Sequence, residues 1–178
     1  MIKTDSDFRC AYEMGLEWEN LVAIALRGVN PGVLVPPKHS RVIGGRVVGF
    51  EDDGDMVTQV VIACKRRNLS FTSQSDFPYP TVKVEEEYKL IPEHLTKDEY
   101  YAMPVSERLS KLRWFHSYWI GSQDMSHVCL IIPASKKYWT LETHYSRPDR
   151  REVTSWACPV EKCVFAPTSH IPQLLVWT

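Results

Sequence analysis

Apolar residues near the start of the chain recur at helical spacing, and they predict a first helix over residues 6–27. Asp5 or Ser6 can cap its first turn with a side-chain oxygen. Gly28, followed by Asn-Pro-Gly, ends it. The apolar side consists of Leu16, Leu21, Ala23, Ile24 and Leu26.

The next part of the chain has the short apolar runs that are typical of β-strands. Residues 41–50 predict a strand with a turn at Gly44-Gly45, and residues 51–54 form an acidic turn. Two short β-runs follow at 55–57 and 60–65, and the second is apolar until Lys65, as in a strand buried on both faces. Residues 66–80 predict a loop, and residues 81–88 predict a strand with Val82 and Val84 facing inward.

The second half predicts helices first and strands afterwards. A short helix is expected over residues 95–103, and a longer one begins at Pro104 with Ser106 as its cap. Strands are expected at 126–132, 138–143 and 153–156, with a polar loop at 147–151 and an irregular tail from Ala166. The longer helix carries Leu109, Leu112, Phe115 and Trp119 at helical spacing. This order predicts an α/β (α+β) fold with a mixed central sheet flanked by helices.

Composition limits the class of protein. The 178 residues, 44% of them hydrophobic, suffice for one domain with a real core. The polar start does not indicate export, and five irregularly spaced cysteines indicate reduced thiols, so we expect a cytoplasmic protein without a membrane segment. The net charge of −1 argues against an extended duplex-binding surface but leaves room for local positive charge.

One stretch combines residue types that suit phosphate chemistry. Asp55 begins the first short β-run, and the second run ends in Ala63-Cys64-Lys65. The period of two in a strand puts positions 63 and 65 on one face, with Cys64 facing away. With a glutamate at position 63, two carboxylates and one amine would surround a single point, where Mg²⁺ or Mn²⁺ could be held.

These residues resemble the motif of the PD-(D/E)XK nuclease superfamily, an acid on one strand followed by Glu or Asp, any residue, and Lys on the next. The resemblance covers roughly residues 10–90 and implies a restriction-endonuclease-like fold that hydrolyses DNA with Mg²⁺ or Mn²⁺. Asp55 matches the first acid, Cys64 the variable position, whose backbone carbonyl could bind metal, and Lys65 the lysine that orients water. Ala63 departs from the motif at the second acid.

The helix before these strands offers a further acid. Residues 15–22 loosely resemble the Gly…Glu-x-x-Leu-Val pattern of archaeal Holliday-junction resolvases, which implies that Glu19, with Glu17 as the backup, joins the metal shell. Ala63 has two explanations. Either the natural protein carries glutamate there and this chain is an inactivated form, which we favour, or the acid has been lost or relocated to Gln59, Glu85 or Glu86.

The residues after Lys65 suggest contacts with nucleic acid. Arg66 and Arg67 could hold backbone phosphates. Phe71, Phe77 and Tyr79 could stack bases, although packing on the domain is the commoner role of such a loop. We therefore expect a DNA endonuclease, inactive as it stands. The alternative is a non-catalytic nucleic-acid-binding or protein-inhibiting module, with RNA and a homodimer both left open.

Overall fold

The computed structural model describes residues 5–27, 46–53, 56–112, 114–145 and 151–174. The fold is a mixed α+β arrangement with two sheets and a few helices. The helices are α1 (Asp5–Arg27), α2 (Lys97–Tyr101), α3 (Val105–Lys111) and α4 (Ile171–Leu174). The strands are β1 (Arg46–Asp53), β2 (Met56–Arg66), β3 (Thr81–Glu86), β4 (Ser117–Gly121), β5 (His127–Ile131), β6 (Thr140–Tyr145), β7 (Glu152–Pro159) and β8 (Val164–Pro167).

The larger sheet has five strands in the order β1-β2-β4-β5-β8. Strands β2 and β4 pair in parallel, with Ala63 opposite Tyr118, and the other neighbours are antiparallel. The central sheet is therefore mixed, as the sequence predicts. Strand β4 is buried at all five positions, as expected for a strand covered on both faces.

The smaller sheet has three strands in the order β3-β7-β6. Its strand β3 is irregular, because the register against β7 shifts between Lys83 and Glu85. A bulge of this kind inserts an extra residue and redirects the side chains that follow it. Val84 and Glu85 are consequently both buried, although strict alternation would expose one of them.

Two apolar clusters lie on opposite sides of the larger sheet. Helix α1 covers one side, where Trp18 and Val22 pack with Cys64 of β2 and Trp119 of β4. The smaller sheet covers the other side, in a second cluster that includes Ala63, Val82, Val84, Tyr118 and Trp156. The layers are thus helix, large sheet and small sheet, and β2 contributes to both clusters.

Several predicted elements are confirmed and five are wrong in whole or in part. The first helix, the inward positions Val82 and Val84, and the strands at β5, β6 and β7 agree with the structure. The long helix carrying Trp119 is wrong, because α3 ends at Lys111 and Trp119 lies in β4. The irregular tail is wrong in part, because β8 includes Ala166.

The break between residues 57 and 60 is also wrong, because β2 is continuous. The acidic turn at 51–54 is wrong in part, because residues 51–53 lie in β1. Ser106 is not a cap, because α3 begins at Val105 and Pro104 is its N-cap residue.

Among the helices of the described residues, none combines the length and the apolar character that a bilayer crossing requires.

Candidate functional site

Strand β2 presents Ala63 and Lys65 on the face that the motif requires. Ile62 and Cys64 belong to the cluster under α1, whereas Ala63 belongs to the cluster between the sheets. Lys65 follows Ala63 by two positions, and its ammonium contacts a residue of the smaller sheet. The predicted alternation of positions 63, 64 and 65 is therefore what the structure contains.

Lys65 forms an ion pair with Glu85 of β3. Lys65 Nζ lies 2.6 Å from Glu85 Oε1, and the Glu85 side chain is 1% exposed. The backbone N–H of Glu86 also donates to Glu85 Oε1, at 3.2 Å. A carboxylate so deeply buried requires a compensating charge. The bulge in β3 directs Glu85 toward this point, so one of the three positions considered for a relocated acid does meet Lys65.

Of the other two candidate positions, only Glu86 has a described side chain. Glu86 is partly exposed, and its carboxylate lies 3.4 Å from Lys89 Nζ on the segment after β3. Gln59 lies in β2, but its side chain is outside the described residues.

Ala63 itself lies in an apolar environment. Its side chain is fully buried, and its Cα partners are Arg46 of β1 and Tyr118 of β4. Near it, Glu85 is already paired with Lys65, and among the described residues no three His, Cys, Asp or Glu side chains form a metal-binding group. The residues present in this chain do not fit a divalent ion, which prefers several oxygen ligands.

The two acids predicted from the first helix lie on the opposite layer. Glu19 is buried, and its helix packs on the Cys64 side of the sheet rather than on the Ala63 side. Glu17 is exposed, and its carboxylate lies 3.9 Å from Arg66 Nη1. The packing of α1 gives no support to a site that unites Glu19 with position 63.

Asp55 lies outside the described residues, so its role stays a prediction. The structure does show where the hairpin lies. Asp53 pairs with Met56 at the turn between β1 and β2, and β2 then runs without interruption to Ala63 and beyond. Seven steps of about 3.3 Å place Met56 about 23 Å from Ala63. A hairpin between the first acid and position 63, which the predicted site needed, is absent from this continuous strand.

The two arginines after Lys65 point to different places. Arg66 donates through Nε to the carbonyl of Gln123, at 2.7 Å, and through Nη2 to the same oxygen. Arg67 instead donates to the carbonyl of Lys83, at 3.4 Å. Arg66 therefore ties β2 to the turn after β4, and the predicted joint use of both arginines for phosphate is not supported.

Arg67 lines a pocket beside the smaller sheet. The pocket has a volume of about 520 Å³ and opens between the loop after β2 and the strands β3 and β6. The charged, aromatic and imidazole side chains that line it are Arg67, Phe77, Tyr79, Lys83, Glu142 and His144. The pocket adjoins the Lys65 pair, because Arg67 interacts electrostatically with Glu85 and Glu86 as well as with Lys83.

Hydrogen bonds connect the two strands across the floor of this pocket. Lys83 Nζ lies 2.9 Å from His144 Nε2, and the Thr81 hydroxyl donates to Glu142 Oε1 at 2.8 Å. An ammonium only donates, so His144 Nε2 accepts and its ring is neutral. Consistently, burial and then the Lys83 charge lower the pKa of His144. Burial and then the Arg67 charge lower the pKa of Lys83.

The aromatic loop is held in place by Asp76. The carboxylate accepts from the backbone N–H groups of Thr72 and Ser73, and from the Thr72 hydroxyl at 2.6 Å. The hydroxyl bond, followed by the two backbone bonds, lowers the pKa of Asp76 to about 2. Phe77 then packs at the pocket wall with Tyr79 beside it, their ring centroids 6.4 Å apart.

Sequence reasoning missed most of the pocket. Phe71 is buried in the cluster between the sheets, so packing is its role, whereas Phe77 and Tyr79 face the pocket. Lys83 carried a usable signal, because it lies exposed between the buried residues Val82 and Val84. His144 carried none, because Thr143 and Tyr145 on either side of it are exposed. Their proximity required the pairing of β3 and β6 with β7, which no local pattern reveals.

Comparison with known proteins finds no match. No protein-family model, curated protein or solved structure matches this chain significantly. The interpretation of the site therefore depends on its geometry and on the motif in the sequence.

Proposed function

We propose that this chain has a restriction-endonuclease-like fold and is a DNA endonuclease in which Ala63 has removed catalysis. The observation that carries the proposal is that Ala63 and Lys65 share one face of β2 and that Lys65 pairs with the Glu85 carboxylate. An acid at position 63 would stand beside an amine and a second carboxylate. In this version of the site Glu85 takes the place that the sequence assigned to Asp55.

The residue types suit hydrolysis of a phosphodiester. Two carboxylates can hold Mg²⁺ or Mn²⁺ through oxygen ligands, which supply charge stabilisation and an activated water. Lys65 has a partly exposed side chain and can orient water or neutralise developing charge. In this chain Lys65 instead neutralises Glu85, which is the arrangement expected after the metal and its second acid are lost.

The test restores the acid. We expect Ala63→Glu to cleave DNA in Mg²⁺ or Mn²⁺, whereas Ala63→Gln, with nearly the same volume and no charge, stays inactive. The substrates are single-stranded, duplex and branched DNA and the corresponding RNA. Calorimetry with Mn²⁺ should detect metal binding by Ala63→Glu alone. A folded Ala63→Glu protein that binds no metal and cuts no substrate would refute the proposal.

A second candidate is a non-catalytic nucleic-acid-binding module on a degenerate nuclease fold. The complete burial of Ala63 favours it, because a charged side chain at that position would enter an apolar cluster. The chain would then bind DNA in EDTA, and Ala63→Glu would lower stability without producing cleavage. A mobility shift with the chain as it stands, compared with cleavage by the variant, separates the two candidates.

A further inference from the structure

We propose that the pocket between Arg67, Lys83 and Tyr79 binds a nucleotide, with its phosphate at the two cations and its base against the aromatic ring. The pocket lies at strands β3 and β6 of the smaller sheet, and Val82 in its lining also belongs to the cluster that contains Ala63. The assignment goes beyond the proposed cleavage chemistry and needs no metal.

The cations support an anionic ligand. Arg67 and Lys83 come from different elements, and both line the pocket. Two like charges repel each other, and an anion between them relieves that repulsion. The Lys83 ammonium donates one proton to His144, at 2.9 Å, and has two more protons that it can donate to a ligand. The guanidinium of Arg67 carries five donors, of which one reaches the Lys83 carbonyl.

The rest of the lining identifies the class of anion. Tyr79 is 57% exposed at the edge of the pocket, and Phe77 supports it in a T-shaped contact. Aromatic faces beside a cationic track are the means by which proteins bind unpaired bases. The volume of about 520 Å³ lies within the range of small-ligand pockets and accommodates one nucleotide rather than a base pair.

The net charge of the lining residues indicates how many phosphates the ligand carries. Arg67 and Lys83 are opposed by Glu142, and His144 is neutral, so these lining residues carry a net charge of about +1. Glu85 and Glu86 also act on Arg67, but they are paired with Lys65 and Lys89. That net charge suits one phosphate, and a triphosphate would meet repulsion from the Glu142 carboxylate. Two ligands carry one phosphate beside an unpaired base: a free nucleoside monophosphate and an unpaired nucleotide within a strand.

The experiment measures binding by the full chain in EDTA. The probes are thymidine monophosphate, a short oligodeoxythymidine, and the same oligomer annealed to its complement. We expect the oligomer, the mononucleotide, or both to bind, and the duplex to bind more weakly. In NMR spectra the ligand should move the ring signals of His144 and leave those of His170, which is exposed and outside the pocket lining, unchanged.

Matched variants locate the binding. Lys83→Met removes one pocket charge, and Lys111→Met removes one from the exposed end of α3. We expect roughly ten-fold weaker binding for Lys83→Met, with the salt slope for the oligomer reduced by about one, and little change for Lys111→Met. Tyr79→Ser should also weaken binding roughly ten-fold or more, since a stacked base is lost.

Each outcome decides the proposal. Binding by the mononucleotide identifies a free nucleotide as a sufficient ligand, and binding by the oligomer alone identifies a strand; both support the pocket. Absence of binding to either probe overturns it, as does a preference for the duplex. An equal loss of ligand affinity in Lys83→Met and Lys111→Met also overturns the proposal. Because metal is absent throughout, failure here is separate from failure of Ala63→Glu to cleave.

Discussion

Removal of Lys65 should destabilise the protein because it leaves Glu85 charged and buried. At an effective dielectric constant of about 20, charges separated by the 2.6 Å between Lys65 Nζ and Glu85 Oε1 attract by about 6 kcal/mol. Desolvation of both groups offsets much of this attraction, and breaking a buried pair costs about 3–5 kcal/mol. Lys65 is 19% exposed, so we expect about 3 kcal/mol for Lys65→Met.

Urea denaturation measures this loss as a change in the free energy of unfolding. The matched control is Lys89→Met, which breaks an exposed pair with Glu86 and should cost less than about 1 kcal/mol. The double variant Lys65→Met/Glu85→Gln removes both charges, and it should recover more than half of the stability that Lys65→Met loses.

Two results would show that the reasoning about Lys65 is wrong. The first is a loss for Lys65→Met no larger than that for Lys89→Met, which would mean that the pair contributes no more than a surface contact. The second is a double variant as unstable as Lys65→Met, which would mean that packing of the lysine stem, rather than charge, is responsible.

Three further predictions concern other parts of the fold. Gly121→Ala should lower the free energy of unfolding, measured in urea, by about 1–3 kcal/mol, because a Cβ would lie 2.7 Å from the ring of buried Trp18. In a chain that also carries Trp18→Leu, Gly121→Ala should lower it by less. Tyr100→Phe should cost about 1.5–3 kcal/mol, since its hydroxyl donates to the buried Glu87 carboxylate at 2.5 Å, and a loss below 0.5 kcal/mol would contradict this. Carbon-13 NMR should give Asp76 a pKa of about 2, so its stabilising effect is complete above pH 3.8 and lost as pH falls toward 2; a value near 3.8 would contradict the loop geometry.

Local pattern predicted the strand face of the site correctly but not its partners. The alternation along β2 placed Ala63 and Lys65 together and Cys64 apart, because it depends only on backbone geometry. The burial of Glu85 beside Lys65 depends on the bulge in β3, which interrupts that same alternation. An inserted residue in one strand leaves no signal in a hydrophobic pattern.

The misassignment of Trp119 has a different physical cause. Leu109, Leu112, Phe115 and Trp119 are spaced as on one helix, and the same spacing arises when a short helix is followed by a strand. Residues 117–121 become a strand because β2 and β5 provide partners on both sides. Tertiary pairing therefore decides the state of this segment.

The parallel pairing of β2 with β4 also has consequences for how the chain folds. Ile62 meets Ser117, so the centre of the larger sheet cannot close until the whole segment 67–116 has folded back. Contacts so distant in sequence slow folding, because the entropy of loop closure opposes them before pairing compensates. During synthesis the β1–β2 hairpin emerges before β4 and presents the edge of β2 without a partner, which is a point at which nascent chains can aggregate.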